Sequence, residues 1–260
     1  MKMSGAARRL GAMNADPVAR AAAALAPSGL ILRGGLNFPQ GEPVPDGPAG
    51  RPARAVLLVG NGGAAYWRHF SRWRAEQPAE TVNPLDEWSR LAIGQAAAAI
   101  GGRVAMPNDR PYLPFQQWAQ RAEGLKPSPL GLLMHPRFGL WHAWRGALLL
   151  DVEIPLEALQ KLNQIAAEPI HLCDLCVGKP CLNACPVSAH AVEGFAYQAC
   201  LAHVRGPGGA ACRDGGCLAR NACPEAAEWR YPAEVQAFHQ RAFAGLEAKG
   251  GAAGGSPRAR

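Results

Sequence analysis

All eight cysteines of this 260-residue chain lie between Cys173 and Cys223, and the 172 residues before them contain none. A disulfide framework belongs to small secreted chains, where the cross-links replace a core too small to hold itself together. Here a long cysteine-free portion precedes a dense patch, and that distribution points to thiolates gathered around metal. The patch has two runs. The first is Cys173-x2-Cys176-x4-Cys181-x3-Cys185-Pro186, and the second is Cys200-x11-Cys212-x4-Cys217-x5-Cys223-Pro224. A proline directly after the last cysteine of each run offers no N–H and presets the first turn of whatever follows.

This order is similar to that of two-cluster ferredoxins, in which the cysteine before proline ligates the neighbouring cluster. Carried over, the resemblance assigns Cys173, Cys176, Cys181 and Cys223 to one [4Fe–4S] cluster and Cys185, Cys200, Cys212 and Cys217 to a second. The spacing departs from the ferredoxin pattern in the x4 between Cys176 and Cys181 and in the looser second run. Two other readings stay open. Cys-x2-Cys also begins a zinc knuckle, so two four-cysteine zinc sites are an alternative, although such sites pair short hooks and need no proline after the fourth cysteine. Eight buried, unligated thiols are the other.

The rest of the chain reads as an α+β protein. Hydrophobic residues make up 48% and charged residues 18%, the balance of a globular chain rather than a disordered one. Asp16 and Pro17 open a short helix through Leu25, and residues 30–36 and 55–60 read as strands, the second apolar enough to be covered on both faces. An aromatic helix follows with Tyr66, Trp67, Phe70 and Trp73. Asn83 and Pro84 start the clearest helix, buried through Leu85, Trp88, Leu91, Ala92 and Ala96 and ended by Gly101-Gly102. A helix over 114–122 and a strand over 142–150 come next. Pro155 opens a helix with Leu156, Leu159, Leu162 and Ile165 on one side, running up to the cysteines. Pro232 starts a last helix with Val235, Phe238, Phe243 and Leu246. The expected divisions are a leader and short helix over 1–27, an α+β domain over 28–168 with a sandwich-like build, a cluster module over 169–230, a C-terminal helix over 231–248, and a glycine-rich tail over 249–260.

No apolar stretch reaches the ~18 residues that span a bilayer, and the basic N-terminus lacks the apolar core of a secretory signal, so a cytoplasmic location is expected. The net charge of +7 suits an anionic small molecule or an acidic redox partner. Its arginines are scattered rather than clustered, which argues against nucleic acid.

Two further resemblances enter on particular residues. His135-Pro136-Arg137-Phe138-Gly139-Leu140-Trp141, continuing into Arg145-Gly146, looks like the HPRFGGW…RG signature of CblC-type cobalamin-processing proteins, with collinear weaker matches over residues 28–160. The cysteine order resembles that of epoxyqueuosine reductases and reductive dehalogenases, which also bind cobalamin. The resemblance implies a nitroreductase-like (CblC-like) sandwich followed by a ferredoxin-like double-cluster module. It also implies a base-off corrinoid reduced by the clusters, and a low-potential donor such as a flavodoxin, ferredoxin or reductase. Arg137 matches the motif arginine that helps form the family's cofactor pocket; Arg145 and Trp141 are the accompanying candidates, set against plain packing or surface roles. Leu201 stands where an Asp-x-His-x-x-Gly motif ending at Gly206 needs its aspartate, so histidine ligation of cobalt is not expected. His135 is expected to cap a turn rather than to catalyse. The chain lacks the helical repeats that bind tRNA in longer epoxyqueuosine reductases. The functional expectation is an iron–sulfur redox protein, an oxidoreductase working with cobalamin. A plain ferredoxin-type electron carrier and a zinc-stapled binding protein are the alternatives.

Overall fold

The computed structural model describes residues 16–163, 171–191 and 194–246. In chain order, α1 (Pro17–Leu25) leads into β1 (Ile31–Asn37) and β2 (Ala55–Gly62), then α2 (Trp67–Ala75), α3 (Pro84–Ile100), β3 (Arg103–Ala105), α4 (Phe115–Glu123) and the short pair β4 (Lys126–Pro127) and β5 (Leu133–Met134). Strand β6 (His142–Leu150) and helix α5 (Leu156–Leu162) complete this half. The main sheet has the order β1-β2-β6-β3, with every neighbouring pair antiparallel.

Both faces of this sheet are covered. Ala55, Leu57 and Val59 of β2, with Leu148 and Leu150 of β6, pack with α1, α2 and α3. The alternate residues Val56, Leu58, Ala147 and Leu149 pack on the other side against Phe38, Phe115 and Trp118. Period-2 alternation therefore sends successive apolar side chains into two cores, which is why the run over 55–59 carries no polar residue. Each fully buried aliphatic contributes roughly 1.5–3 kcal/mol. At Gly146 an added Cβ would meet the Ile93 side chain at 2.6 Å, so glycine there lets α3 lie close on β6. The expected sandwich-like half is thus one antiparallel sheet with helices on each face.

Several expected boundaries match the structure. Asp16 Oδ1 accepts from the Val18 N–H at 2.9 Å, and Gly101 ends α3 in a left-handed conformation. Others do not. Asn83 does not cap α3 through its side chain; it adopts φ 48°, and its carbonyl takes the Asp86 and Glu87 N–H groups. Leu91 is 53% exposed, because the buried stripe follows 85, 88, 89, 92, 93, 96 and 97 and position 91 falls outside it. Leu156 and Leu246 are likewise exposed. Helix α5 ends at Leu162, and the Asn163 amide then bonds both the N–H and the carbonyl of Gly35 at 2.9 Å. The expected extension through Ile165, residues 1–15 of the expected leader and the tail over 249–260 lie outside the described residues.

The cysteine-bearing half consists of short pieces: α6 (Leu172–Leu175), α7 (Pro180–Asn183), the hairpin β7 (His190–Ala191) and β8 (Gly194–Phe195), α8 (Tyr197–Arg205), α9 (Ala210–Gly215) and α10 (Leu218–Asn221). The last helix, α11 (Ala233–Ala244), ties the two halves together. Val235 belongs to the core that holds Leu57 and Leu148, and Phe238 meets the rings of Trp67 and Phe70 at 5.2 and 5.5 Å. At its other end Ala244 packs with Val204 and Cys212, and Phe243 meets Tyr197 edge-on at 5.4 Å. Residues 231–246 are therefore shared by both halves rather than appended to them. Among the described residues no helix is long and apolar enough to cross a membrane.

Candidate metal centre and the loops around it

None of the eight cysteines is in a disulfide. They fall into two sets. Burial raises the Cys173 thiol to about 11, and Cys223, Cys181 and Cys176 add to the rise. Burial likewise lifts Cys223, helped by Cys181 and Cys176. In the second set burial raises Cys200 to about 11, with further upward pushes from Cys217, Cys185 and Cys212. Cys217 is raised by burial and then by Cys212 and Cys185. The structure thus brings Cys173, Cys176, Cys181 and Cys223 together, and separately Cys185, Cys200, Cys212 and Cys217. Each proline-flanked cysteine sits with the other run.

The local chain explains how these sulfurs are presented. Pro186 and Pro224 supply no N–H, and donors further along the chain take the sulfurs. The Ala189 N–H donates to Cys185 Sγ at 3.2 Å, and the Glu225 N–H lowers the Cys223 thiol by bonding its sulfur. Leu182 does the same for Cys181, and Ala219 and Arg220 for Cys217. Amide donors aimed at sulfur favour the thiolate form that any metal requires. A small cavity is lined by all four cysteines of the first set together with Met134, Leu140 and Pro224. Cys185 and Cys217 pack against the same apolar cluster that holds Cys173, Cys181 and Cys223, so the two sets adjoin.

Among the described residues no three His, Cys, Asp or Glu side chains form a group that would hold a single metal ion. A mononuclear tetrahedral zinc site needs sulfurs about 3.8 Å apart, as follows from Zn–S bonds near 2.3 Å. A cubane places each thiolate on a different iron and holds the four farther apart. Either group would be held by soft thiolate donors, several of them with amide N–H groups on their sulfurs.

The loop carrying the HPRFG residues lies between the sheet and the first cysteine set. His135 and Gly139 exchange backbone hydrogen bonds at 2.9 and 2.8 Å. His135 Nδ1 accepts from the Arg137 and Phe138 N–H groups at 2.9 and 3.1 Å, the turn-capping role expected of it. Burial, then Arg33 and Arg137, push this imidazole down to about 3. Gly139 has φ 57°, and a Cβ there would meet the Ala226 side chain and the Glu225 carbonyl at 2.9 Å. That close approach presses the loop against the residues that follow Cys223-Pro224. Met134 and Leu140, which flank the loop, share an apolar cluster with Cys173, Cys181 and Cys223.

The three residues expected to contact a cofactor have different surroundings. Arg137 is exposed, its guanidinium over the Trp229 ring at 5.1 Å. Trp141 is 0% exposed, with Tyr231 edge-on at 5.5 Å and the Arg220 guanidinium 4.5 Å from its ring centre; it presents no surface to a ligand. Arg145 points into a polar knot, donating to Tyr66 Oη at 3.2 Å and Asn61 Oδ1 at 3.3 Å, with His239 Nε2 at 3.5 Å. Burial raises the Tyr66 hydroxyl to about 12. Burial, with Arg145 and Arg220, lowers His239 to about 3.

Sequence reasoning missed Arg33, Glu123, Arg220 and His239. The Arg33 guanidinium forms a two-pronged ion pair with Glu123 at 3.0 and 2.9 Å and donates to the Asn61 carbonyl at 3.0 Å. It lies 5.4 and 5.2 Å from the Phe138 and Trp144 rings. A charged residue inside an apolar strand was the available signal for Arg33. No spacing marks Arg220 or His239, because both acquire their neighbours only when α10 and α11 pack. No protein-family model matches the chain, and no curated protein matches it.

Proposed function

We propose that the chain is an iron–sulfur redox protein holding two [4Fe–4S] clusters, one on Cys173, Cys176, Cys181 and Cys223 and one on Cys185, Cys200, Cys212 and Cys217. The observation that carries the reading is the partition of eight reduced cysteines into two adjoining sets of four, crossed in sequence order. Bound there, the clusters would supply one-electron transfer at potentials within the ~−700 to +450 mV range of such centres. The chain's own contribution is to bury the sulfurs, aim amide N–H groups at them and set the two groups side by side.

The crossing has a direct test. Anaerobically purified protein should carry about eight irons per chain on this ligand set. The double variant Cys173→Ala/Cys223→Ala should retain about half, as either single variant does. Cys200→Ala/Cys223→Ala should retain almost none. The reverse pattern would sink the crossing, and about two zincs per chain would replace the redox reading with a zinc-stapled protein.

As the electron acceptor we propose a corrinoid, within a nitroreductase-like (CblC-like) arrangement followed by a ferredoxin-like module. The support is the resemblance of residues 135–146 to the CblC signature together with the place of that loop, pressed against the residues after Cys223. The proposal puts no contact on Trp141, which is buried. Anaerobic titration with cob(II)alamin tests it: a shift of the visible spectrum to the base-off form is expected. An unchanged spectrum at micromolar protein leaves a plain electron carrier supplied by a low-potential donor.

A further inference from the structure

Three of the four non-glycine residues with left-handed backbone among the described residues stand three places after a cysteine. They are Lys179 (φ 42°) after Cys176, Ser188 (φ 48°) after Cys185 and Ala226 (φ 54°) after Cys223. A side chain in that region strains the backbone, and such strain persists where the surroundings impose it. At position 179 glycine would be free of the strain, yet the chain carries a long cationic side chain there. Lys179 Nζ donates to the Cys173 carbonyl, and the residue lines the small cavity shared by Cys173, Cys176, Cys181 and Cys223. Among the described residues the other charged member of that lining is Glu225. Lys179 and Glu225 form no ion pair with each other.

The two charges act in opposite senses on this set of sulfurs: Lys179 favours the anionic form of Cys173 and Cys181, and Glu225 disfavours that of Cys223. With a [4Fe–4S] cluster on these cysteines, gaining one electron adds one negative charge in a poorly screened place. A fixed cation beside the sulfurs then stabilises the reduced state more than the oxidised one, and a fixed anion does the reverse. We propose that Lys179 is the counter-charge of the cluster on Cys173, Cys176, Cys181 and Cys223 and holds its reduction potential up, with Glu225 set against it. The inference rests on the cluster reading above and adds to it the residue that makes the two centres unequal.

An EPR-monitored redox titration of the anaerobically purified full chain reads both midpoints, with dithionite supplying the electrons through mediator dyes. At a fixed potential Lys179→Gln should lower the reduced-to-oxidised ratio of one cluster about tenfold, a midpoint shift of about 59 mV for one electron, and move the other less. Lys179→Gly should do the same while relieving the backbone, and it decides the matter if Lys179→Gln folds poorly. Lys179→Arg should keep the wild-type midpoints, and Glu225→Gln should raise the one that Lys179→Gln lowers. Iron content near eight per chain with neither midpoint moved in Lys179→Gln and Lys179→Gly, or with both moved equally, would overturn this inference alone. So would a Lys179→Arg midpoint as low as that of Lys179→Gln, or a fall in Glu225→Gln. A wild type without iron would overturn the cluster reading and this inference with it.

Discussion

Replacing Glu123 with leucine tests how the core tolerates its most buried charge pair. Arg33 is 2% exposed and Glu123 5% exposed, so removing the carboxylate strands a guanidinium that retains only the Asn61 carbonyl and two aromatic rings. Breaking such a pair from one side costs about 3–5 kcal/mol, while replacing both partners by apolar residues is close to neutral. With an m value of roughly 2–3 kcal/mol/M in urea, the Glu123→Leu midpoint should fall by about 1–2 M. Arg33→Met/Glu123→Leu should recover at least about 2 kcal/mol relative to the sum of the single variants. Burial outweighs Arg33 and holds the Glu123 carboxyl above its ordinary 4.5. The native state therefore keeps a proton that the unfolded chain releases. This contribution is fully present below 4.5 and is lost as pH rises through the higher folded value. Arg33→Met, which leaves the carboxyl alone, should accordingly cost less at pH 5 than at pH 8. Anaerobic urea unfolding at both pH values measures all of this. A Glu123→Leu cost under about 1 kcal/mol, or simple additivity in the double variant, would refute the claim that this pair is desolvated.

Gly139→Ala should destabilise the protein by at least about 1–2 kcal/mol from its left-handed backbone alone. It should also lower the metal content, because the added methyl displaces the residues after Cys223; unchanged metal content would detach the loop from the first cysteine set. His239, held near 3 rather than 6.5, lets the unfolded chain take up a proton that the native state refuses. Stability should therefore fall as pH drops below 6.5, by about 2 kcal/mol at pH 5. His239→Gln should flatten that slope in anaerobic unfolding curves. Phe238→Ala should cost about 3–5 kcal/mol, since it removes the ring that seats α11 on Trp67 and Phe70, and heat unfolding of the two halves should then separate.

The readable parts of the fold were those written in short-range pattern. The strands over 55–60 and 142–150 are runs of apolar residues long enough to need cover on both faces, and both appear as the central pair of the sheet. Glycine and proline punctuation marked the ends of α1 and α3 to within a residue or two. The exposure of Leu91 was not readable, because a leucine at the margin of a helical stripe is buried only if a neighbour reaches that far. Trp141 illustrates the same gap at the site. The motif singled it out, yet the packing of Tyr231 and Arg220 around it removes it from any surface.

The sequence by itself determined that eight cysteines lie close together, in two runs each closed by Cys-Pro, since spacing along a chain limits what short loops can gather. Only the tertiary structure decided that the HPRFG loop presses on the chain after Cys223, that α11 belongs to both halves, and that Arg220 sits between the rings of Trp141 and Tyr231. These relations join residues some 80 to 170 positions apart, and their energy comes from surfaces that exist only once the helices have packed on the sheet.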